Sequence, residues 1–281
     1  MARRSWLGAG AALLVMVGSP AASAQTHDRS LRWDPALDAT VTVLGLGAWV
    51  ASELLKGELA PSECRWCAAN GLDSGVREAL VWKDPAAADR LSNVTGFLLV
   101  PALAIGLDAL AAAHEGGLGG APEDALLMTE AAVIAADVNQ LAKLVVGRER
   151  PFVHALPPEE KARNPHPSDN DLSFFSGHTT EAFAIAAASG TIGELRGYRW
   201  APLAWGVGGA FAATTGYLRI GADKHWLTDV VVGALVGVGI GVALPVVFHP
   251  AEDTPSPVTT TGALAGKRLP APVVPNLSFV W

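Results

Sequence analysis

Six long apolar stretches follow one another along the chain, and none shows the alternation of apolar and polar positions that is typical of a strand. Each is about as long as a helix needs to cross the hydrocarbon core of a bilayer. The stretches cover residues 37–55, 94–113, 125–146, 177–193, 201–217 and 227–248. Segments rich in Gly and Pro separate them. The pattern therefore predicts an all-α fold, a six-helix bundle over residues 33–250.

Ionisable side chains interrupt several of the apolar stretches. They are Asp108, Glu130, Asp137, Lys143 and Glu181. A charge inside a spanning helix is costly and usually faces a protein interior or a functional cavity. A water-soluble bundle with long buried helices is the alternative. Residues 230–248 carry no charge at all, which favours embedding in a membrane.

Composition narrows the class of protein further. Half of the residues are apolar and 17% are charged, against a typical charged share of about 25%. The net charge is −7, and the chain has no basic stripe, so nothing in it suggests nucleic-acid binding.

Both ends of the chain differ from its centre. Arg3 and Arg4 precede a short apolar run and the small residues 22–24, which is the layout of a secretory signal peptide. We expect residues 1–24 to be that signal, with an uncleaved first membrane helix as the alternative. Residues 251–281 are rich in Pro, Thr and Val, and we expect a flexible tail there.

Cys64 and Cys67 are the only cysteines. The pair is not a c-type haem site, because Ala68 stands where a histidine is needed. Two thiolates alone leave half of a zinc coordination shell empty. In an exported protein the pair suits a local disulfide, and two free thiols are the alternative.

A first group of chemically active residues ends the third apolar stretch. Lys143 and Arg150 are seven residues apart, about two helical turns, and so lie on one helix face. Pro151 would end the helix there. Two cations on one face make a candidate anion clamp. The alternative is that the two long side chains extend to the membrane–water interface without binding an anion.

A second group precedes the fourth stretch. Ser176 is a good N-cap and Gly177 would open the first turn, beside His178. The free backbone N–H groups of a helix N-terminus favour a phosphate. Taken alone, the segment is better explained by a simple helix cap and a surface histidine.

A third group precedes the last stretch. His225 and Asp229 are spaced four residues apart and would be neighbours on a helix. A carboxylate on one imidazole nitrogen would fix the tautomer and leave the other nitrogen free to attack. Arg219 adds a third cation. Alone, the group could be a surface His–Asp pair.

Together the three groups supply what phosphoryl transfer needs, which is positioning and charge stabilisation of the transferred oxygens. Their order and spacing closely resemble the signature blocks of the type 2 phosphatidic acid phosphatase and vanadium haloperoxidase superfamily. The matching residues are Lys143-x6-Arg150-Pro151, Ser176-Gly177-His178 and Arg219-x5-His225-x3-Asp229. Phe175 and Leu218 stand where the family usually has Pro and Ser, and we expect altered loop shape rather than lost activity.

The resemblance implies a membrane-embedded six-helix phosphatase with a role for each matching residue. His225 attacks phosphorus, Asp229 orients His225, and His178 protonates the leaving group and then activates water. Lys143, Arg150 and Arg219 bind the phosphate oxygens, helped by Ser176 and Gly177. No metal or other cofactor is implied, and we interpret the acidic segment 169–171 as a polar loop.

The resemblance leaves the substrate open between a phosphorylated lipid and a small phosphate ester, and it says nothing about oligomers. A vanadate-dependent haloperoxidase and a non-enzymatic membrane protein are the competing hypotheses. We expect an exported protein of a bacterial-type inner membrane with a periplasm-facing site, or a soluble periplasmic bundle.

Helix parity complicates the outward orientation. Six crossings after a signal peptide would put the three blocks in the cytoplasm, unless residues 37–55 lie on the surface without crossing. The four Lys and Arg of residues 57–92, against none in residues 114–124, also weigh against an outward site.

Overall fold

The computed structural model describes residues 29–115, 117–161, 163–164 and 166–252. The expected signal peptide and nearly all of the expected tail lie outside these residues. The longer helices are α1 (Pro35–Leu54), α3 (Gly71–Leu80), α4 (Pro85–Val94), α5 (Val100–Glu115), α6 (Ala121–Val146), α9 (Gly177–Arg196), α10 (Ala201–Gly221) and α11 (Leu227–Phe248). Single-turn helices are α2 (Lys56–Leu59), α7 (Pro151–His154) and α8 (Pro158–Lys161).

Helix α4 continues into α5 through a π-helical turn, Thr95–Leu99, so six long helical segments make up the bundle. The described residues form no strand, only two isolated bridges. The predictions of an all-α fold and a six-helix bundle are therefore confirmed.

The ends of the helices follow local sequence signals. Asp34 caps α1 by accepting from the N–H groups of Ala36 and Leu37, and Pro35 occupies the first helical position, where a missing N–H costs nothing. Helix α6 ends at Gly147, whose φ of 59° is left-handed and therefore suits glycine. That sharp stop places Arg148 to Arg150 in an extended segment instead of a further helical turn.

Helix α9 lies at the centre and packs against α5, α6, α10 and α11. Its contact with α11 is close because α11 presents a glycine every fourth residue, Gly233, Gly237 and Gly241. A Cβ at Gly237 would stand 2.3 Å from the Thr180 carbonyl oxygen, and one at Gly241 2.3 Å from the Ala184 carbonyl oxygen. The two backbones therefore touch directly.

Four helical segments are long and apolar enough to cross a membrane: Pro35–Leu54, Pro85–Glu115, Ala121–Val146 and Leu227–Phe248. Helices α9 and α10 are not among them, because their many small and polar residues lower the hydropathy. The outer face of α1 exposes Leu37, Val43, Leu44 and Leu54. A face of that kind needs lipid rather than water, and the prediction of a membrane protein is confirmed.

Helix α1 lies beside α6 along its whole length. A Cβ at Gly45 would stand 2.6 Å from Val133 Cγ1, and Gln140 donates to Ser52 Oγ at 3.1 Å. Helix α1 therefore runs in the same direction as α6 and does not lie flat across the surface, as one of the sequence-based alternatives required.

The bundle has two distinct ends. Helices α1, α6 and α10 finish at the end where α4, α9 and α11 begin, and the three predicted blocks meet there. At the opposite end the chain before α1 pairs with the chain after α11 through a bridge between Leu31 and Ala251.

Candidate active site

A cavity of about 340 Å³ lies at the end of the bundle where the three blocks meet. Six of the predicted site residues line it: Lys143, Arg150, Gly177, His178, Arg219 and His225. They come from three separate parts of the chain, and the cavity is mostly polar. The predicted convergence of two imidazoles and three cations on one hollow is therefore present in the structure.

Arg150 is the cation nearest to His225. Its Nη1 lies 3.4 Å from His225 Nε2 and donates to the Lys224 carbonyl oxygen at 3.1 Å. Its Nε donates to the Asp169 carbonyl oxygen at 2.8 Å. Backbone carbonyls thus hold the guanidinium beside the imidazole, where its planar fork can meet phosphate oxygens.

The His225 imidazole is fixed by a backbone group. Its Nδ1 lies 2.8 Å from the Ser173 carbonyl oxygen, which can only accept, so Nδ1 carries the proton and Nε2 presents a lone pair to the cavity. Burial and the neighbouring cations, Arg150 first, hold the pKa of His225 well below 6.5. The imidazole is therefore neutral at pH 7, as a nucleophile must be.

Asp229 does not make the contact that the sequence suggested. Its Oδ2 is 3.8 Å from His225 Nδ1, too far for a hydrogen bond. It accepts instead from Ser173 Oγ at 2.5 Å, from the Trp226 N–H at 2.9 Å and from Arg148 Nη1 at 2.5 Å. Asp229 sits in the first turn of α11 and caps that helix, so its carboxylate turns back to the backbone and away from the ring.

Arg148 was not identified from the sequence, yet it is the most deeply buried cation near the site, 1% exposed. It bridges Asp229 and Asp73 and stacks on the Trp66 ring at 4.0 Å. Its neighbour Arg150, two residues on, faces the cavity. No local pattern in the sequence indicates which of the two arginines points inward to the carboxylates.

The Cys64–Cys67 segment packs against the extended segment Arg148 to Arg150. The two cysteines are joined by a disulfide in the structure. Trp66 N–H donates to the Gly147 carbonyl oxygen at 3.2 Å, and Glu149 N–H donates to the Trp66 carbonyl oxygen at 3.1 Å. The cysteine loop therefore lies at the same end of the bundle as the cavity.

His178 lies in the first turn of α9, and its Nε2 is 2.7 Å from Asn93 Oδ1. The Phe97 ring packs against it with centroids 4.4 Å apart. Asn93 lies in the last turn of α4, and Phe97 lies in the π-helical turn that follows. The two side chains therefore contact one imidazole from adjacent turns. Neither residue carries a sequence signal, because each becomes relevant only through the fold.

Ser176 occupies the N-cap position of α9, as predicted, but its side chain makes no capping hydrogen bond and does not line the cavity. It is fully buried and accepts from Thr179 Oγ1 at 2.8 Å, while its N–H donates to the Asp229 carbonyl oxygen at 3.0 Å. Gly177 is the residue that meets the cavity. A Cβ there would stand 2.8 Å from Asn139 Oδ1 and 3.1 Å from Lys143 Nζ. Only glycine lets Lys143 approach the start of α9.

Arg219 closes another side of the cavity from the last turn of α10. It pairs with Asp89 at 2.5 Å and donates to Ser92 Oγ at 3.0 Å. Both partners belong to α4. The cation predicted from the third block is thus oriented by a helix that no block contains.

A further cation and two acids enter the cavity unexpectedly. Lys56, just after α1, pairs with Glu53 and with Asp169 at 3.1 Å. The Asp169 pKa is lowered, because the charges of Arg150 and Lys56 outweigh the effect of burial. Asp169 was interpreted as part of a polar loop, and it contributes to this charge network instead.

The two departures from the family pattern lie outside the cavity lining. Phe175 is buried, and its carbonyl oxygen accepts from Asn139 Nδ2 at 2.6 Å. Leu218 is buried against Trp82, Ala88 and Ala222. Both fill the core around the blocks.

The fold and the cavity define a class: a helical membrane protein with a cation-lined cavity that holds two histidines at one end of the bundle. Residues 124–252 match the family model of the PAP2 superfamily, a range that contains all three blocks. The resemblance predicted from the sequence is thereby confirmed. No curated protein sequence matches the chain.

A solved structure, the first transmembrane PAP2 type phosphatidylglycerolphosphate phosphatase from Bacillus subtilis, is similar at 18% sequence identity and a TM-score of 0.44. The similarity covers 74% of this chain and 93% of that one.

Proposed function

We propose that the protein is a phosphatase that hydrolyses a phosphomonoester or diphosphate, with a lipid as its substrate, through a phosphohistidine on His225. The observation that carries the proposal is the 3.4 Å approach of Arg150 to the unprotonated His225 Nε2, in a cavity that Lys143, Arg219 and His178 also line. A phosphoryl oxygen bound to these cations brings phosphorus in front of that nitrogen.

The chemistry proceeds in two displacements. His225 Nε2 attacks phosphorus, a P–N bond forms, and the ester P–O bond breaks. His178 in its protonated form donates the proton that the leaving alkoxide needs and is left neutral. Water then attacks the phosphohistidine and loses its proton to His178, and His225 is released. The imidazolium that forms on His225 keeps its Nδ1–H on the Ser173 carbonyl oxygen.

The fixed cations supply the charge stabilisation that a metal ion supplies in other phosphatases. Lys143, Arg150 and Arg219 carry it at the phosphate oxygens, and the N-terminus of α9 at Gly177 adds backbone N–H groups. We therefore expect activity in the presence of EDTA and inhibition by vanadate, which mimics five-coordinate phosphorus.

The test is His225→Ala, with His166→Ala, an exposed histidine outside the cavity, as the matched control. His225→Ala should lose turnover and the acid-labile phosphoenzyme, while the control keeps both. Parental activity in His225→Ala would end the proposal. Bromide peroxidation with added vanadate, in place of ester hydrolysis, would favour the haloperoxidase hypothesis.

A lipid substrate is supported by a second cavity that adjoins the first. It measures about 400 Å³, is lined largely by apolar side chains of α1, α5, α6 and α9, and shares Trp49, Phe97 and Glu181 with the catalytic cavity. A phosphate bound among the cations would place an attached hydrocarbon chain there.

Ala132→Phe should fill the apolar cavity, and Val138→Phe, on the outward face of the same helix, is the control. We expect the first variant to lose at least about tenfold of its lipid phosphate hydrolysis and to keep its hydrolysis of a water-soluble phosphate ester. The reason is that a filled cavity weakens the binding of the hydrocarbon chain, which only the lipid has. Equal losses on both substrates would argue against a lipid tail in this cavity.

We also propose that the catalytic end faces the periplasm. The disulfide between Cys64 and Cys67 lies at that end, and disulfides persist outside the cytoplasm. Because α1 crosses beside α6, this orientation leaves the start of α1 inside the cell. An outward site and a signal peptide cleaved after residue 24 therefore exclude each other.

Arg163→Cys, an exposed position in the loop between Arg150 and Ser176, tests the orientation with a membrane-impermeant thiol reagent. Labelling in intact cells supports an outward site. Labelling only after lysis would place the site in the cytoplasm and leave room for the cleaved signal.

A further inference from the structure

Three buried side chains meet at the end of the bundle opposite the catalytic cavity. They are Asp38 on α1, Glu130 on α6 and His249 just after α11, and they are 4%, 6% and 3% exposed. One ligand atom from each lies within 4.8 Å of the other two. Fifteen residues of α1 separate Asp38 from Glu53, so the two sites are about 22 Å apart.

The hydrogen bonds of His249 turn its second nitrogen towards the acids. Nδ1 lies 3.1 Å from the Arg32 carbonyl oxygen, an acceptor, so Nδ1 carries the proton and Nε2 has a lone pair. A backbone carbonyl in this role is the usual outer partner of a metal-binding histidine. Nε2 faces Glu130 Oε2 at 3.7 Å.

Two acceptors therefore face each other in a buried place. Among the described residues, neither His249 Nε2 nor Glu130 Oε2 has a hydrogen-bond partner. Asp38 Oδ2 accepts from the Asp34 N–H at 2.9 Å, which orients the second carboxylate but does not neutralise its charge. The nearby Arg32 guanidinium donates to the Phe248 carbonyl oxygen at 3.3 Å instead.

A cation resolves this arrangement better than a proton does. One proton can satisfy one pair of acceptors, whereas a divalent ion attracts all three at once. Ligand atoms around a tetrahedral zinc stand about 3.3 Å apart, so the 3.7 Å separation needs only a small adjustment. A cavity of about 540 Å³, lined by these three residues and mainly apolar neighbours, leaves room for the ion and a water ligand.

We propose that Asp38, Glu130 and His249 form a binding site for a divalent transition-metal ion of the zinc type. One imidazole with two carboxylates is a ligand set that suits such an ion better than Mg²⁺. The ion would join the start of α1, the first half of α6 and the end of α11. It therefore serves to hold the far end of the bundle together and takes no part in phosphate chemistry.

The experiment uses the full chain, purified in detergent without an affinity tag and stripped with a chelator. Zn²⁺ is titrated by calorimetry, and Tm is followed with and without the ion. We expect one saturable Zn²⁺ per chain and a rise in Tm of about 5 °C or more at a hundredfold excess over Kd. Mg²⁺ at the same concentration should give no comparable rise.

Glu130→Gln and His249→Gln should each weaken Zn²⁺ binding at least about tenfold. Glu58→Gln and His114→Gln, exposed residues of the same types elsewhere, are the controls and should bind like the parent. Phosphate ester hydrolysis should persist in the chelator-stripped protein and in both site variants, which also reports that they fold.

Absence of saturable Zn²⁺ binding by the parent chain would overturn the proposal, whatever the variants do. Parental affinity in both site variants would overturn it as well, because the bound ion would then lie elsewhere. Since the parental titration needs no substitution, the result does not depend on whether a variant folds.

Discussion

The Nδ1 atom of His225 lies 2.8 Å from the Ser173 carbonyl oxygen, whereas Asp229 Oδ2 is 3.8 Å away. Ser173 also donates its hydroxyl to Asp229 at 2.5 Å. The carboxylate therefore reaches the imidazole through an intermediate residue. It positions Ser173, and Ser173 positions His225.

Asp229→Asn and Ser173→Ala test this relay. Each should reduce kcat by roughly 10-fold to 100-fold with little change in KM. The reason is that the His225 ring loses its alignment while the phosphate-binding cations stay in place. The double variant should be no worse than either single one, since both remove the same link. Near-parental kcat in Ser173→Ala, with a large loss in Asp229→Asn, would show that Asp229 acts directly.

The pH dependence of kcat/KM reports the His225 pKa in the free enzyme. His225 must be neutral to attack, and burial and neighbouring cations lower its pKa, so the acidic limb should lie below pH 6.5. Arg150→Gln removes a positive charge, which favours protonation and raises the pKa. The limb should then move to higher pH, while Lys83→Gln, an exposed cation outside the cavity, should leave it in place. An unmoved limb in Arg150→Gln would separate that limb from His225.

Gly177→Ala should lower kcat/KM by about 100-fold without unfolding the protein. The added Cβ would stand 3.1 Å from Lys143 Nζ and 2.8 Å from Asn139 Oδ1, so the ammonium is displaced from the phosphate position. Gly209→Ala on α10, where a Cβ meets nothing within 4 Å, is the control. Steady-state rates measure the activity of the two variants, and circular dichroism checks that both are folded. Equal activity of Gly177→Ala and Gly209→Ala would contradict the close approach of Lys143 to the start of α9.

Gly237→Ala should destabilise the bundle by about 1–3 kcal/mol, because its Cβ would collide with the Thr180 carbonyl oxygen and overpacking of that size is not absorbed. Gly239→Ala lies on the same helix, and its Cβ meets nothing within 4 Å. Thermal unfolding of the pair in detergent should show a lower Tm for the first variant only. Matching Tm values would mean that α9 and α11 can separate at no cost.

The helical architecture could be read from the sequence because local patterns carry it. Long apolar runs, the Pro35 start of α1 and the Gly147 stop of α6 are signals that act within a few residues. The catalytic blocks could be read for a similar reason. Each is a short segment at a helix end whose residue types and order are recognisable. The helical spacing inferred within the blocks does not hold, because Arg150 lies beyond the end of α6 and His225 lies before the start of α11.

The partners of those blocks could not be read in the same way. Asn93 and Asp89 contact His178 and Arg219 only because α4 packs beside α9 and α10. Lys56 reaches Asp169 only because α1 runs beside α6. None of these residues stands in a recognisable local pattern, so nothing in the chain distinguishes them from ordinary surface charges.

By itself the sequence determined which segments are helical, that the bundle is apolar enough for a membrane, and which six residues line one cavity. Those properties depend on the spacing of residues within short segments and on the transfer of apolar side chains out of water. Both can be deduced from the order of residue types in the chain. Only the tertiary structure decided that Arg148 faces carboxylates while Arg150 faces the cavity, that Ser173 stands between His225 and Asp229, and that Asp38, Glu130 and His249 meet at the far end. These contacts join residues far apart in sequence, and their geometry depends on how closely whole helices approach.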